Sequence, residues 1–105
     1  MVYQDFLTER IAQLRLIKGV SARDMSLTLG QADNYINHIE NKKSLPSITS
    51  FFYICDYFNI TPQEFFDEGN KDPEHLRDLF ADLKKLDEKA LSHISGIVRE
   101  LLSKK

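Results

Sequence analysis

The stretch SARDMSLTLGQADNYINHIENKK, from Ser21 to Lys43, constrains the fold more than any other part of the 105-residue chain. Ser21 can cap a helix N-terminus, and Asp24, three residues on, puts a carboxylate where that helix has free amide groups. Ala22, Met25 and Leu29 fall along one helical stripe, and Gly30 ends it. A second stripe, Tyr35, Ile36 and Ile39, begins within a few residues, and its spacing predicts a helix whose other face carries Asp33, Asn34, Asn37 and His38. That face has no Lys or Arg but is rich in side chains able to hydrogen-bond base edges. Two helices joined by a glycine-containing turn, the second with an amide and acid face, make a helix-turn-helix.

The flanking sequence supplies helices to pack against this pair. Leu7, Ile11 and Leu14 follow helical spacing, Asp5 can cap, and Lys18-Gly19 offers a cation and a stop, which predicts a first helix over about residues 6 to 18. Leu45-Pro46 cannot continue a helix, and Ser47 then caps a segment with Ile48, Phe51, Phe52, Ile54, Cys55 and Phe58, apolar over most of its circumference and so expected to be largely buried. Thr61-Pro62-Gln63-Glu64 is a capping box with Pro at the first helical position, opening a short helix that ends in Phe65-Phe66. Five helices by about residue 67 predict a compact all-α unit.

Charge is distributed unevenly enough to suggest which face meets a partner. The whole chain carries a formal net charge of −2. Residues 10 to 43 nevertheless hold Arg10, Arg15, Lys18, Arg23, Lys42 and Lys43 against only Asp24, Asp33 and Glu40, whereas residues 44 to 70 have no Lys or Arg and four acids. Within residues 1 to 70, positive charge is thus confined to the helix-turn-helix and its predecessor, which is what a phosphate-facing surface requires. Cys55, alone among apolar neighbours, reads as a buried thiol of a cytoplasmic protein. No apolar run approaches the roughly 20 residues of a membrane span. His38, His75 and His93 lack the spacing or Cys partners of a metal site, and no cofactor is expected. A Gly-rich phosphate loop and a Ser/His/Asp set are both absent, so the chain does not read as an enzyme.

The order RIAQLRLIKGVSARDMSLTLGQADNYINHIENKKSLPS, an apolar helix and then NITPQEFF resembles the lambda-repressor-like (Cro-type, XRE) DNA-binding domains over roughly residues 6 to 67. The points of likeness are Arg15 four residues before Gly19, Gly30 in the turn, Ile36 and Ile39 followed by Glu40, Pro46-Ser47, and Asn59-Ile60-Thr61-Pro62. The resemblance implies a five-helix DNA-binding domain and places Asp33, Asn34 and His38, with Asn37 beside them, at base-reading positions. Ser21, Arg23, Asn41, Lys42 and Lys43 then flank the groove as phosphate contacts, and Arg15 and Glu40 form a buried or partly buried ion pair between the first helix and the recognition helix. Three departures stand out. Ala22 replaces the family's Gln after the helix cap. Lys42 stands where the family has Gly, so that Lys42 or Asn41 must take positive φ. Gln31 and Ala32 replace an apolar residue and a hydroxyl cap at the opening of the recognition helix.

Beyond residue 68 the composition changes, which suggests a division into a DNA-binding domain at 1–68 and a C-terminal helical hairpin at 69–105. Asp72-Pro73 and Asp87 are helix starts. Leu76, Leu79, Phe80, Leu83 and Leu86 mark one amphipathic helix, and Leu91, Ile94, Ile97, Val98, Leu101 and Leu102 another. The Ile94, Ile97, Val98, Leu101 and Leu102 stripe is expected to form a homodimer interface. The expected function is a transcriptional regulator, a repressor acting on double-stranded DNA as a homodimer at an inverted repeat. The competing class is a protein-interaction module, antitoxin-like or regulator-sequestering, that binds a protein partner through the hairpin.

Overall fold

Most helix ends in this chain are settled within one turn of backbone. The structure, a computed structural model that describes residues 2–104, contains α1 (Val2–Lys18), α2 (Ala22–Thr28), α3 (Tyr35–Glu40), α4 (Ile48–Tyr57), α5 (Pro62–Phe65), α6 (Pro73–Leu83) and α7 (Glu88–Ser103), with no strand among the described residues. The fold is all-α. Ser21, Ser47, Thr61 and Asp87 each stand in extended backbone and accept a hydrogen bond from the amide three residues on. Thr61 and Glu64 complete the capping box reciprocally, with Pro62 just inside the helix. At the opposite ends, Gly19, Gly30, Lys42 and Asn59 take φ of 76°, 75°, 63° and 55°. In each case the next amide reaches back five residues to a helix carbonyl: Val20 to Arg15, Gln31 to Ser26, Lys43 to His38 and Ile60 to Cys55. These left-handed stops satisfy carbonyls that a helix end leaves open.

α1 to α5 enclose one core. Ile11 and Leu14 of α1, Met25 of α2, Ile36 and Ile39 of α3, and Phe51, Ile54 and Cys55 of α4 meet Phe58, Ile60 and Phe65. Each such side chain contributes roughly 1.5–3 kcal/mol by leaving water. Phe65 is completely buried, with the Phe51 ring set edge-on to it at 5.0 Å. Burial, and then the charge of Asp56, push the Cys55 thiol up to about 11, so it stays protonated and packs as a small apolar group.

Two expectations are corrected. α4 is less buried than its composition predicts: Phe51, Ile54, Cys55 and Phe58 form the one stripe that meets the core, while Ile48 is 68 % exposed and Phe52 49 %. A helix apolar all round still turns only one face to a core of this size. Asp5 is not a cap either, because α1 begins at Val2 and holds Asp5 inside its first turn.

Arg10 belongs to the cations that the charge distribution assigns to a phosphate-facing surface, but it is 2 % exposed and locked inside the fold. Its Nε donates to the Phe65 carbonyl at 2.7 Å, Nη2 to the Glu64 and Asn70 carbonyls at 2.8 and 2.7 Å, and Nη1 to Gln13 Oε1 at 2.7 Å. Burial lowers its pKa from the ordinary arginine value, opposed by the charge of Asp67. A cation at the carbonyl end of α5 is favourably placed.

The chain divides into two compact units, Met1–Glu74 and His75–Lys105. Within the first unit Arg10 holds the Asn70 carbonyl, and Pro73 is buried. In the second unit α7 has no buried residue: Ile97, Val98, Leu101 and Leu102 are exposed and Ile94 is half-buried.

Candidate nucleic-acid interface

α2 and α3 are joined by a turn that depends on Gly30. No atom lies within 4 Å of where its Cβ would stand, so the requirement is for positive φ rather than for space. The start of α3 is less orthodox. Ala32 has no hydroxyl, Asn34 at the N-cap makes no side-chain cap bond, and the Tyr35 amide closes a tight turn onto the Ala32 carbonyl instead. The missing cap comes from the neighbouring helix. Ser26, completely buried, accepts from the Ile36 amide at 2.9 Å and donates to the Ala22 carbonyl at 2.7 Å. One hydroxyl therefore satisfies an open donor of α3 and ties that helix to α2. Sequence reasoning missed Ser26, although a small polar residue directly after Met25 in a buried stripe is the kind of signal that marks such a group.

With Ile36 and Ile39 buried, the opposite side of α3 faces solvent. Asp33, Asn34, Asn37 and Asn41 are exposed and His38 is half-buried. The Asn34 amide nitrogen lies 3.4 Å from His38 Nε2, and Asn41 Nδ2 donates to Asn37 Oδ1 at 3.1 Å. Four of these side chains thus pair one turn apart into a polar strip that carries both donors and acceptors.

The back of α3 is clamped to α1. Arg15 Nε and Nη2 meet Glu40 Oε2 and Oε1 at 2.7 and 2.9 Å, while Nη1 donates to the Val20 carbonyl at 3.0 Å. The two side chains are only 17 % and 14 % exposed. The hydrogen bonds that Arg15 donates to Glu40 raise the Arg15 pKa above its ordinary value, so the guanidinium keeps its charge.

Other cations near α3 are engaged to different degrees. Lys42 Nζ is 2.8 Å from Asp5 Oδ1. Arg23 Nε is 3.8 Å from Asp33 Oδ2, and both are well exposed. Lys18 sits 4.8 Å from the centre of the Tyr57 ring. Ser21, exposed, holds the Asp24 amide at 2.9 Å. Lys43, directly after Lys42, is exposed and has no ion-pair partner among the described residues. The six cations counted between residues 10 and 43 are therefore not six free charges.

A helix pair of this kind, with an exposed polar second helix braced from behind, defines a nucleic-acid-binding head. The chain belongs to the helix-turn-helix domain family, whose model matches residues 8–70. That membership makes it a DNA-binding regulator by class. No curated protein and no solved structure matches the chain. Among the described residues no helix is long and apolar enough to cross a membrane.

Proposed function

We propose that the protein is a cytoplasmic, sequence-specific transcriptional repressor that binds an inverted-repeat operator as a homodimer. The observation that carries this is the solvent-facing polar strip of α3, set on a short helix held by Ser26 and the Arg15–Glu40 clamp. Asp33, Asn34, Asn37 and His38 are assigned to base edges. Asn34 is suited to two hydrogen bonds with adenine, and Asp33 to accepting from a cytosine amino group. Ser21, Arg23, Asn41, Lys42 and Lys43 are assigned to phosphate. The second unit is assigned to dimerisation through Ile94, Ile97, Val98, Leu101 and Leu102. A two-fold pair would set the recognition helices roughly 34 Å apart, matching half-site centres about ten base pairs apart or a multiple of that.

Selection from a random duplex library is the direct test and should return an inverted repeat. Asn34→Ala should then change the selected sequence, whereas Lys43→Ala should weaken every duplex alike and reduce the salt slope by about one unit. Identical effects of the two substitutions would refute the division between base and phosphate contacts.

A second reading, a protein-interaction module that sequesters another regulator, is favoured by the engagement of Arg10, Arg15 and Lys42 within the head. Salt separates the two. A DNA complex loses affinity steeply as salt rises, and an apolar protein interface does not.

A further inference from the structure

Lys42 occupies a backbone position that suits glycine. It follows the C-cap Asn41 (φ −89°) and takes φ 63° itself, closing α3 through bonds from its own amide to the Ile39 carbonyl and from the Lys43 amide to the His38 carbonyl. Gly19 and Gly30 make the same kind of stop without a side chain to strain. What Lys42 adds over glycine is an ammonium group, and that group lies 2.8 Å from Asp5 Oδ1 on α1. The pair is mutual: the hydrogen bond to Lys42 lowers the Asp5 pKa, and the same bond raises that of Lys42, with Glu9 of α1 adding to the attraction. Both side chains are about half exposed, at 52 % and 48 %, so water and a third group can reach them.

We propose that Asp5 is an intramolecular competitor for the backbone phosphate assigned to Lys42, lowering the sequence-independent part of DNA affinity. This deepens the DNA-binding reading above and rests on it. A carboxylate oxygen at 2.8 Å takes one of the three ammonium donors and offsets the charge, so Lys42 cannot hold a phosphate beside it at full strength. Lys43, next in the chain, has no such competitor among the described residues. The two adjacent lysines are therefore unequal. Lys43 contributes to every encounter with DNA, while Lys42 contributes only after leaving Asp5. Because phosphate contacts dominate non-specific binding, restraining one of them raises the ratio of operator to random affinity.

The test is a double-mutant cycle on the full chain, titrating a short mixed-sequence duplex at several salt concentrations. Asp5→Asn should tighten binding by about two- to fivefold, the range of an exposed ion pair. It should also steepen the salt slope by about one unit, as one more counterion is released. Lys42→Gln should cost little in the wild-type background and abolish the whole gain in the Asp5→Asn background. A gain that survives Lys42→Gln would mean that Asp5 acts by its charge at a distance, and would overturn the proposal. So would equal losses from Lys42→Gln in both backgrounds. In the unaltered protein, the Asp5 carboxyl carbon resonance should move as duplex is added, and a resonance that stays put while DNA binds counts against the competition. If no variant binds any duplex in a salt-dependent way, the DNA-binding reading itself falls; binding that ignores Asp5 removes the competitor alone.

Discussion

The first unit of the chain and the second are built from helices of similar quality, but they treat apolar side chains in opposite ways. In the first, Ile11, Met25, Ile36, Ile39, Ile54 and Phe65 are completely buried. In the second, α7 is capped by Asp87 as well as any helix in the head, yet Ile97, Leu101 and Leu102 are 57 %, 62 % and 59 % exposed. Local helix signals are thus independent of whether a core exists. Five helices can surround a shared interior. Two amphipathic helices leave much of their apolar surface in water, and a surface of that kind is a reason to expect a partner.

The contrast predicts that substitutions in the two units act on different observables. The largest effect is expected at the clamp behind α3. Glu40→Ala strands Arg15 with 17 % exposure, and chemical denaturation should show a loss of roughly 3–5 kcal/mol. A variant that unfolds with wild-type stability would show that the clamp does not hold α3 in place.

Next in size is the opposite experiment on α7. Ile97→Lys with Leu101→Lys should leave the melting of the head nearly unchanged and separate the proposed dimer, seen by light scattering. Operator affinity should fall by roughly 10²-fold, because the second half-site contact ceases to be intramolecular. If the double variant keeps both its dimer and its affinity, the second unit has another role.

The smallest effect has the opposite sign. The Tyr35 hydroxyl is buried in the first unit without a hydrogen-bond partner among the described residues. Tyr35→Phe removes that group while keeping the ring against the core, and should stabilise the head by about 1 kcal/mol. Thermal melts that show a loss instead would mean that the hydroxyl finds a partner in solution.

Much of the fold was legible because its signals close over a few residues. Ser21, Ser47, Thr61 and Asp87 cap by bonding an amide three positions away, and Gly19 and Gly30 stop helices through bonds that span five. Periodicity likewise identified Ile11, Met25, Ile36 and Ile39 as core-facing. The Arg15–Glu40 pair followed from the family resemblance rather than from any local pattern. Spacing also failed where it had to choose between faces, as with Ile48 and Phe52, since an apolar side chain does not say whether a neighbour covers it.

The sequence by itself therefore determined the all-α class, the helix starts and the presence of a helix-turn-helix, all consequences of backbone preferences within about one turn. Only the tertiary structure decided what the polar groups do. Arg10 meets a carbonyl 55 residues away, Arg15 a carboxylate 25 away, and Ser26 an amide ten away on the next helix. Lys42 meets Asp5 across the fold, while Lys43 beside it has no such partner among the described residues. A hydrogen bond or an ion pair depends on a few tenths of an ångström between groups that folding brings together. No count of charges along a chain contains that distance, so the free cations of the candidate interface emerge only once the core is packed.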